Sequence, residues 1–413
     1  MKTLLRNILT LLLLCGALVA RAQWEGSMTP INLGRTPEAV PDSLTGVGVV
    51  RVARHGARFL TSAKTVEELR DLLTQAQDAG RLSAEGAAFL QLLNTVENTT
   101  AGRWGQLTPL GYKEESTLAE QFAHEHPELL TSGHIVARST AVLRAHQSMQ
   151  AFLSRLKALA PSLAIDQGTE PQYDPLLRFF DTDAQFLAYL KDGTWSGIYA
   201  EFVKKEIPTG PAKRLFTKTP GLTKEQERAI TMKMYAVLCS LQAAGITADV
   251  SLYMKEGELS RCHDAANLRH WLQRTATRYS AAPATAAAPL LERVISNADD
   301  MAADSSQTCA YLYFAHAETL LPLLSLMQIP GIDRQFAEPK NLIEEWDDTN
   351  FIPLGAYLDV ELYRGPSGHV YVSLVLNGER LYPAPGAEKV MSWPQLKGAW
   401  QSAASGPAAG KAF

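Results

Sequence analysis

A mainly parallel α/β sheet flanked by helices, with a mostly α-helical domain inserted in it, is the architecture predicted for this 413-residue chain. Three observations lead there. Between residues 46 and 160, β-branched apolar runs alternate with helical periodicity, the pattern of strands joined by crossover helices. From about 168 to 285 the strand pattern gives way to helical spacing with aromatic anchors at Phe179, Phe180, Tyr189, Trp195 and Trp271. A buried-strand run, Cys309-Ala310-Tyr311-Leu312-Tyr313-Phe314-Ala315, then resumes the sheet. About 390 residues remain after a leader, more than one hydrophobic core usually spans. The expected division is a leader over 1–22, core halves over 23–167 and 286–413, and the insertion over 168–285.

Lys2 and Arg6 precede an apolar run from Ile8 to Val19, and Ala20-Arg21-Ala22 offers a cleavage site, which reads as a secretory signal peptide. The run is too short for a membrane span and no comparable one follows. Leu14 before Cys15 stands where lipoprotein processing wants a small residue, which argues against a lipid anchor. A periplasmic or secreted location follows. The first strand, Val47 to Ala53, runs into Arg54-His55-Gly56-Ala57-Arg58. Val66, Leu69, Leu72 and Leu73 mark a helix, and a second starts after Gly105-Gln106-Leu107-Thr108-Pro109-Leu110-Gly111, with Thr108 as N-cap and Pro109 at the first helical position. His134 to Arg138 is a short strand, and Ser139-Thr140 is expected to cap a helix whose core face reads Ala145, Met149, Phe152, Leu153 and Leu156. After Ala315 a helix is expected from His316-Ala317-Glu318, with Pro322 in its first turn and its stop at Pro330-Gly331. Ala356–Leu362 and His369–Leu376 alternate like an antiparallel pair, and the tail from Ser402 is expected to fray.

Loss of the leader removes Lys2, Arg6 and Arg21 and no acid, moving the formal charge from −4 to −7. Such a surface argues against nucleic acid or an anionic membrane as partner, so an anionic ligand must be met by locally clustered cations. Three cysteines remain, Cys239, Cys262 and Cys309, so at most one pair can form; Cys239 with Cys262 is the favoured pairing because both fall in one helical region. His124-Glu125-His126 before Pro127 reads as a helix end, and no metal motif appears.

Open α/β sheets bind ligands beyond the carboxyl ends of their strands. Three polar clusters fall at such ends: Arg54-His55-Gly56-Ala57-Arg58, Arg138 with Arg144, and His316-Ala317-Glu318. Guanidinium forks match phosphoryl oxygens bidentately, and a neutral imidazole can attack phosphorus, so the first cluster reads as a phosphate cradle around a nucleophile.

On these residues the chain resembles the histidine acid phosphatases, in the branch of multiple inositol polyphosphate phosphatases. Arg-His-Gly-x-Arg is met at 54–58, and the stretches 105–111 and Arg138-Ser139-Thr140 with Arg144 follow in order. His316-Ala317-Glu318 selects the branch, since most other members carry His-Asp there, and Leu177-Arg178-Phe179-Phe180-Asp181 is a second branch-like segment. Departures are Ala141 in place of an Asp, Phe59-Leu60-Thr61 in place of a proline-stiffened loop after Arg58, and Asp183 where relatives often have Cys.

The resemblance implies a metal-independent, cofactor-free phosphomonoesterase acting on inositol polyphosphates such as phytate. His55 would be the nucleophile, Arg54, Arg58, Arg144 and His316 the phosphate contacts, and Glu318 a proton donor that starts protonated and later activates water. Arg138 either lines the site or braces its loop. Lys64, Arg178, Lys204, Lys205, Arg214 and Lys218 are candidates for the phosphates not being cleaved, each also readable as a solvated surface residue. The alternatives are a broad phosphatase for small esters, phosphoglycerate mutase chemistry, and a non-catalytic inositol phosphate binder. A secretory leader disfavours the mutase. Oligomeric state is not readable from the chain.

Overall fold

The computed structural model describes residues 24–405 apart from residues 132, 304, 333, 337, 343 and 385. The leader and residues 406–413 lie outside the described residues. Strand β1 (Thr45–Arg54) is followed by α1 (Lys64–Asp78), α2 (Ala84–Thr100) and α3 (Pro109–Glu125), then β2 (His134–Ser139), α4 (Leu143–Leu159) and β3 (Ala164–Thr169). Helices fill the next stretch: α5 (Ala184–Asp192), α6 (Trp195–Glu206), α7 (Gly210–Arg214), α8 (Lys224–Ala244), α9 (Glu256–Arg274), α10 (Ala282–Thr285) and α11 (Ala288–Ala302). The chain returns to the sheet at β4 (Thr308–Ala315), turns through α12 (Ala317–Leu326) and the short α13 (Pro339–Leu342), and closes with β5 (Tyr357–Arg364), β6 (Val370–Leu376), β7 (Glu379–Leu381), β8 (Val390–Ser392) and α14 (Trp393–Ser405).

One sheet holds all eight strands, in the order β3-β2-β4-β1-β5-β6-β7 with β8 beside β6. Strands β3, β2, β4 and β1 run parallel; β5, β6, β7 and β8 extend the sheet by antiparallel pairing. The fold is therefore the mixed α/β sheet that the alternating pattern predicts.

Local chemistry accounts for the element ends that matter. Thr108 caps α3, its Oγ1 accepting from the Gly111 N–H at 3.2 Å, with Pro109 first in the helix where no N–H is needed. Helix α4 starts later than its sequence suggests: Val142 is the N-cap and Ser139-Thr140 does not cap it, because Thr140 is drawn to a histidine described below. Its predicted core face is buried throughout. Pro322 lies in the second turn of α12, and that helix ends at Leu326, before the left-handed Gln328, not at Pro330. Helix α14 continues through Ser402, so the tail is ordered to Ser405. Cys239, Cys262 and Cys309 are all buried free thiols, and the expected Cys239–Cys262 pair does not form. Cys239 and Cys262 pack as small apolar side chains in one core cluster.

Alternate residues of β1 face opposite layers. Val50 and Val52 join the apolar cluster of α1, α2, α8, α9, α11 and α12, while Val49 and Ala53 join that of α3 and α4. Between the last two stands Arg51, 2% exposed. Its guanidinium donates to both oxygens of Asp359, its register partner on β5, at 2.7 and 2.6 Å, and lies over the rings of Tyr357, Phe122 and Phe152. Nearby Glu361 on β5 accepts from Arg380 at 2.5 Å and from the Tyr363 hydroxyl at 2.7 Å. Burial without a partner would make either charge costly, so these pairs are what allow ions inside this layer. Arg51→Met, which strands Asp359, is expected to destabilise the fold by about 3–5 kcal/mol, and adding Asp359→Leu to recover most of that loss. Urea unfolding of both variants checks it; equal losses in single and double variants would contradict it.

Candidate active site

Three parallel strands end at one height. Arg54 is paired with Ala315 and Ser139 with Phe314, so the residues that follow, His55, His316 and Thr140, sit together at the carboxyl edge of the sheet. The ladder extends one step further: the His55 N–H donates to Ala315 O and the Thr140 N–H to Phe314 O, both at 3.1 Å.

The pentad is pinned through its backbone. Gly56 N–H donates to Ser148 Oγ at 3.0 Å and Ala57 N–H to Glu114 Oε2 at 2.7 Å, while Thr108 N–H donates to Ala57 O at 2.9 Å and Gly355 N–H to His55 O at 3.0 Å. Helix α3 comes so close that a Cβ on Gly111 would lie 2.2 Å from Ala57 O, which explains the glycine at the end of the 105–111 stretch. No proline stiffens the loop after Arg58. Instead Arg58 bridges Leu107, Phe59 N–H donates to Gln106 O at 3.0 Å, and the buried Phe59 ring lies under the Arg103 guanidinium.

His55 is 3% exposed, and its Nδ1 lies 3.0 Å from Gly56 O. A carbonyl only accepts, so Nδ1 carries the proton and Nε2 keeps its lone pair. Burial first, then Arg144, Arg54, His316 and Arg58, hold the imidazole pKa well below its ordinary value, so the ring is neutral. His316 packs edge-on against it, with ring centroids 5.6 Å apart, and Phe180 packs edge-on against His316 from the other side. Burial first, then Arg144, pushes His316 down to about 3. Its Nε2 is 3.0 Å from Thr140 Oγ1, so a hydroxyl proton donated there leaves the ring proton on Nδ1.

Arg54 is anchored by carbonyls, Nη1 donating to Ser27 O at 2.6 Å and to Ile352 O. Burial, then the other guanidiniums around it, lowers Arg58 to about 9; Arg54 falls to about 10 by burial despite Glu318. Among the described residues the buried Nε atoms of Arg54, Arg58 and Arg144, together with His316 Nδ1, have no hydrogen-bond partner. These are donors without acceptors around a neutral imidazole, an arrangement suited to a tetrahedral oxyanion.

Glu318, second in α12, faces this group. Burial would raise its carboxyl pKa, but Arg274, then His316, its own backbone N–H and Arg54 outweigh that and hold it well below the usual carboxylate range. Arg274 Nη2 lies 2.6 Å from Glu318 Oε1. The ion pair that holds the carboxyl down comes from a guanidinium that sequence reading did not single out.

The remaining candidates separate. Arg178 reaches the site: it lies over the Phe180 ring, acts electrostatically on His316 and Arg144, and pairs with Asp181 at 2.5 Å. Arg138 pairs with Asp166 at 2.8 Å across the β2–β3 edge, the bracing alternative. Arg214 is bound to Glu258 and Tyr253 O; Lys205 pairs with Glu201 and Lys64 with Glu68, while Lys204 and Lys218 are exposed. Asp183, in place of a cysteine, caps α5. Two histidine–carboxylate groups have ligand-like spacing, His126 with Asp359 and Glu361, and His263 with Asp347 and Asp348. In the first the carboxylates already hold Arg51 and Arg380; in the second Asp348 holds His270.

The profile of the histidine phosphatase superfamily (branch 2) matches residues 47–377. The chain belongs to that family. Among curated relatives of this branch 2 member, the human multiple inositol polyphosphate phosphatase 1 is 26% identical over 402 residues, covering 88% of this chain and 80% of the relative. Among solved structures, the Bifidobacterium longum multiple inositol polyphosphate phosphatase in complex with phosphate superposes with a TM-score of 0.79 at 15% identity, covering 93% of this chain and 98% of that one. The same protein in complex with inositol hexasulfate gives 0.78 at 15% identity, with 92% and 97% covered. The D. castellii phytase gives 0.68 at 16% identity, with 93% and 85% covered. These likenesses carry the fold of the branch.

Behind the pentad lie Glu114 and Glu115, two adjacent buried acids on α3. Burial raises Glu114 to about 7, and burial followed by the charge of Glu114 raises Glu115 to about 8. A raised folded-state pKa contributes stability in full below the unfolded value of 4.5 and loses it as pH rises through about 8. Glu115→Gln is therefore expected to lose less stability than the wild type between those limits. Urea unfolding at both ends of the window checks this, and parallel losses would contradict it.

Proposed function

We propose that the protein removes phosphate from inositol polyphosphates through a covalent phosphohistidine on His55. The observation that carries the reading is a buried neutral imidazole with a free Nε2, ringed by Arg54, Arg58, Arg144 and His316 and faced by Glu318. In the first step the Nε2 lone pair forms an N–P bond as the ester P–O bond breaks. The departing oxygen takes a proton from the Glu318 carboxyl and leaves as an alcohol. In the second step the Glu318 carboxylate takes a proton from water, the water oxygen bonds to phosphorus, and the N–P pair returns to His55. The three guanidiniums and His316 Nδ1 carry the charge on the non-bridging oxygens in both halves.

The substrate class rests on the family, on the relatives named multiple inositol polyphosphate phosphatase and phytase, and on the hexasulfate complex of the Bifidobacterium longum protein. The leader reading over 1–22 supports action in the periplasm or outside the cell. No helix among the described residues is long and apolar enough to cross a membrane.

Phosphate release from inositol hexakisphosphate and from an aryl phosphate tests the reading. His55→Ala is expected to abolish release from both. Glu318→Ala is expected to slow the hexakisphosphate by about 10²–10⁴-fold and the aryl ester less, because a phenolate leaves without a proton. No release by the wild type would overturn the enzyme, and a preference for the aryl ester would overturn the substrate class.

A further inference from the structure

The first step of the proposed reaction asks Glu318 for a proton, yet Glu318 stands in an ion pair with a guanidinium 2.6 Å away. Its partner Arg274 is the last residue of α9, and among the described residues Glu318 is the one recorded partner of that guanidinium. The pair is open to a ligand: side-chain exposure is 15% for Arg274 and 40% for Glu318. Around it stand Arg54 from the end of β1, His316 at the head of α12, His270 one turn back on α9, and Asp348, which accepts from His270 on the far side. Among the described residues no second acid pairs with Arg274, so an anion that approaches it competes with Glu318 alone.

In that reading Arg54, Arg58, Arg144 and His316 take the scissile phosphoryl group, which leaves Arg274, exposed beside Glu318, to meet a neighbouring phosphate on the same ring. Resting on the reading above, we propose that Arg274 is a substrate-binding residue that arms Glu318: a second phosphate of the substrate takes Arg274 away from the carboxylate and brings its own negative charge beside it, so that Glu318 takes up the proton it then delivers to the leaving oxygen. The site thereby reads the number of phosphates in the turnover step as well as in binding. After departure of the dephosphorylated alcohol, Arg274 returns to Glu318 and holds it as the carboxylate that the water-activating step requires. Protons balance over the cycle: one is taken from solvent when the substrate binds, passed to the alcohol, replaced on Glu318 by the attacking water, and returned to solvent as Arg274 restores the resting carboxylate.

The test compares the pH dependence of kcat on inositol hexakisphosphate and on an inositol monophosphate, which share a leaving-group type and differ in the second phosphate. The donor must be protonated, so kcat falls as pH rises through the Glu318 pKa in the complex. In the wild type this fall is expected at least about one pH unit lower for the monophosphate. Arg274→Gln is expected to move the monophosphate limb up towards the hexakisphosphate limb and to raise KM for the hexakisphosphate by about tenfold, with Arg274→Lys recovering part of both. Coincident limbs in the wild type would overturn the role of Arg274 while leaving the phosphatase reading intact, and that comparison needs no variant to fold. Equal loss of kcat on both substrates in Arg274→Gln, with neither limb moved, would overturn it too. A wild type that releases phosphate from neither substrate would overturn the phosphatase reading and this proposal together.

Discussion

The parallel register between β1 and β4 is the constraint from which the site follows. Arg54 opposite Ala315 brings the residue after each strand, His55 and His316, to ring contact, although the two are far apart in sequence. Strand β2 meets β4 one residue earlier, Ser139 opposite Phe314, and so presents Thr140 to His316. A register slip by one residue would send each side chain to the other face of the sheet. The ion pair of Arg51 with Asp359 favours the antiparallel register of β5 against the other edge of the same strand.

Given that register, the energetics of the pocket are dominated by cations. Beyond burial, Arg144 lowers both Arg54 and Arg58, while Glu318 and Asp348 act against that at Arg54. The cost of burying these guanidiniums is offset when an anion enters, which is how a chain of net negative charge can still select an anionic substrate. Burial first, and then these cations, hold the pKa of both histidines down. The loop that carries Arg54 and Arg58 donates backbone N–H groups to side chains of α4 and α3 and buries Phe59, so packing holds it where relatives use a proline.

Much of this was legible in the chain. Alternating apolar runs announced the mixed sheet, and the pentad and His316-Ala317-Glu318 stood out because unusual residues were contiguous at predicted strand ends. What stayed hidden was set by contacts distant in sequence. Arg274, Arg51 and Glu114 carry no local signal, because their partners, Glu318, Asp359 and the Ala57 N–H, lie far off in sequence. Ser139-Thr140 matched a helix cap by local chemistry, but Thr140 found a better partner in His316, 176 residues away. The favoured Cys239–Cys262 pair rested on proximity in one helical region, which says nothing of whether two packed thiols are aimed at each other.

The central claim is that His55 Nε2 takes the phosphoryl group. Rapid acid-free quenching of the enzyme with radiolabelled inositol hexakisphosphate, followed by peptide mapping, tests it most directly. Label on the peptide containing His55, stable to base, labile to acid and absent from His55→Ala, is the result the structure predicts. Rapid turnover of the same substrate with no protein-bound phosphate at any quench time, together with inversion at phosphorus in a chiral substrate, would show direct attack by water and contradict it.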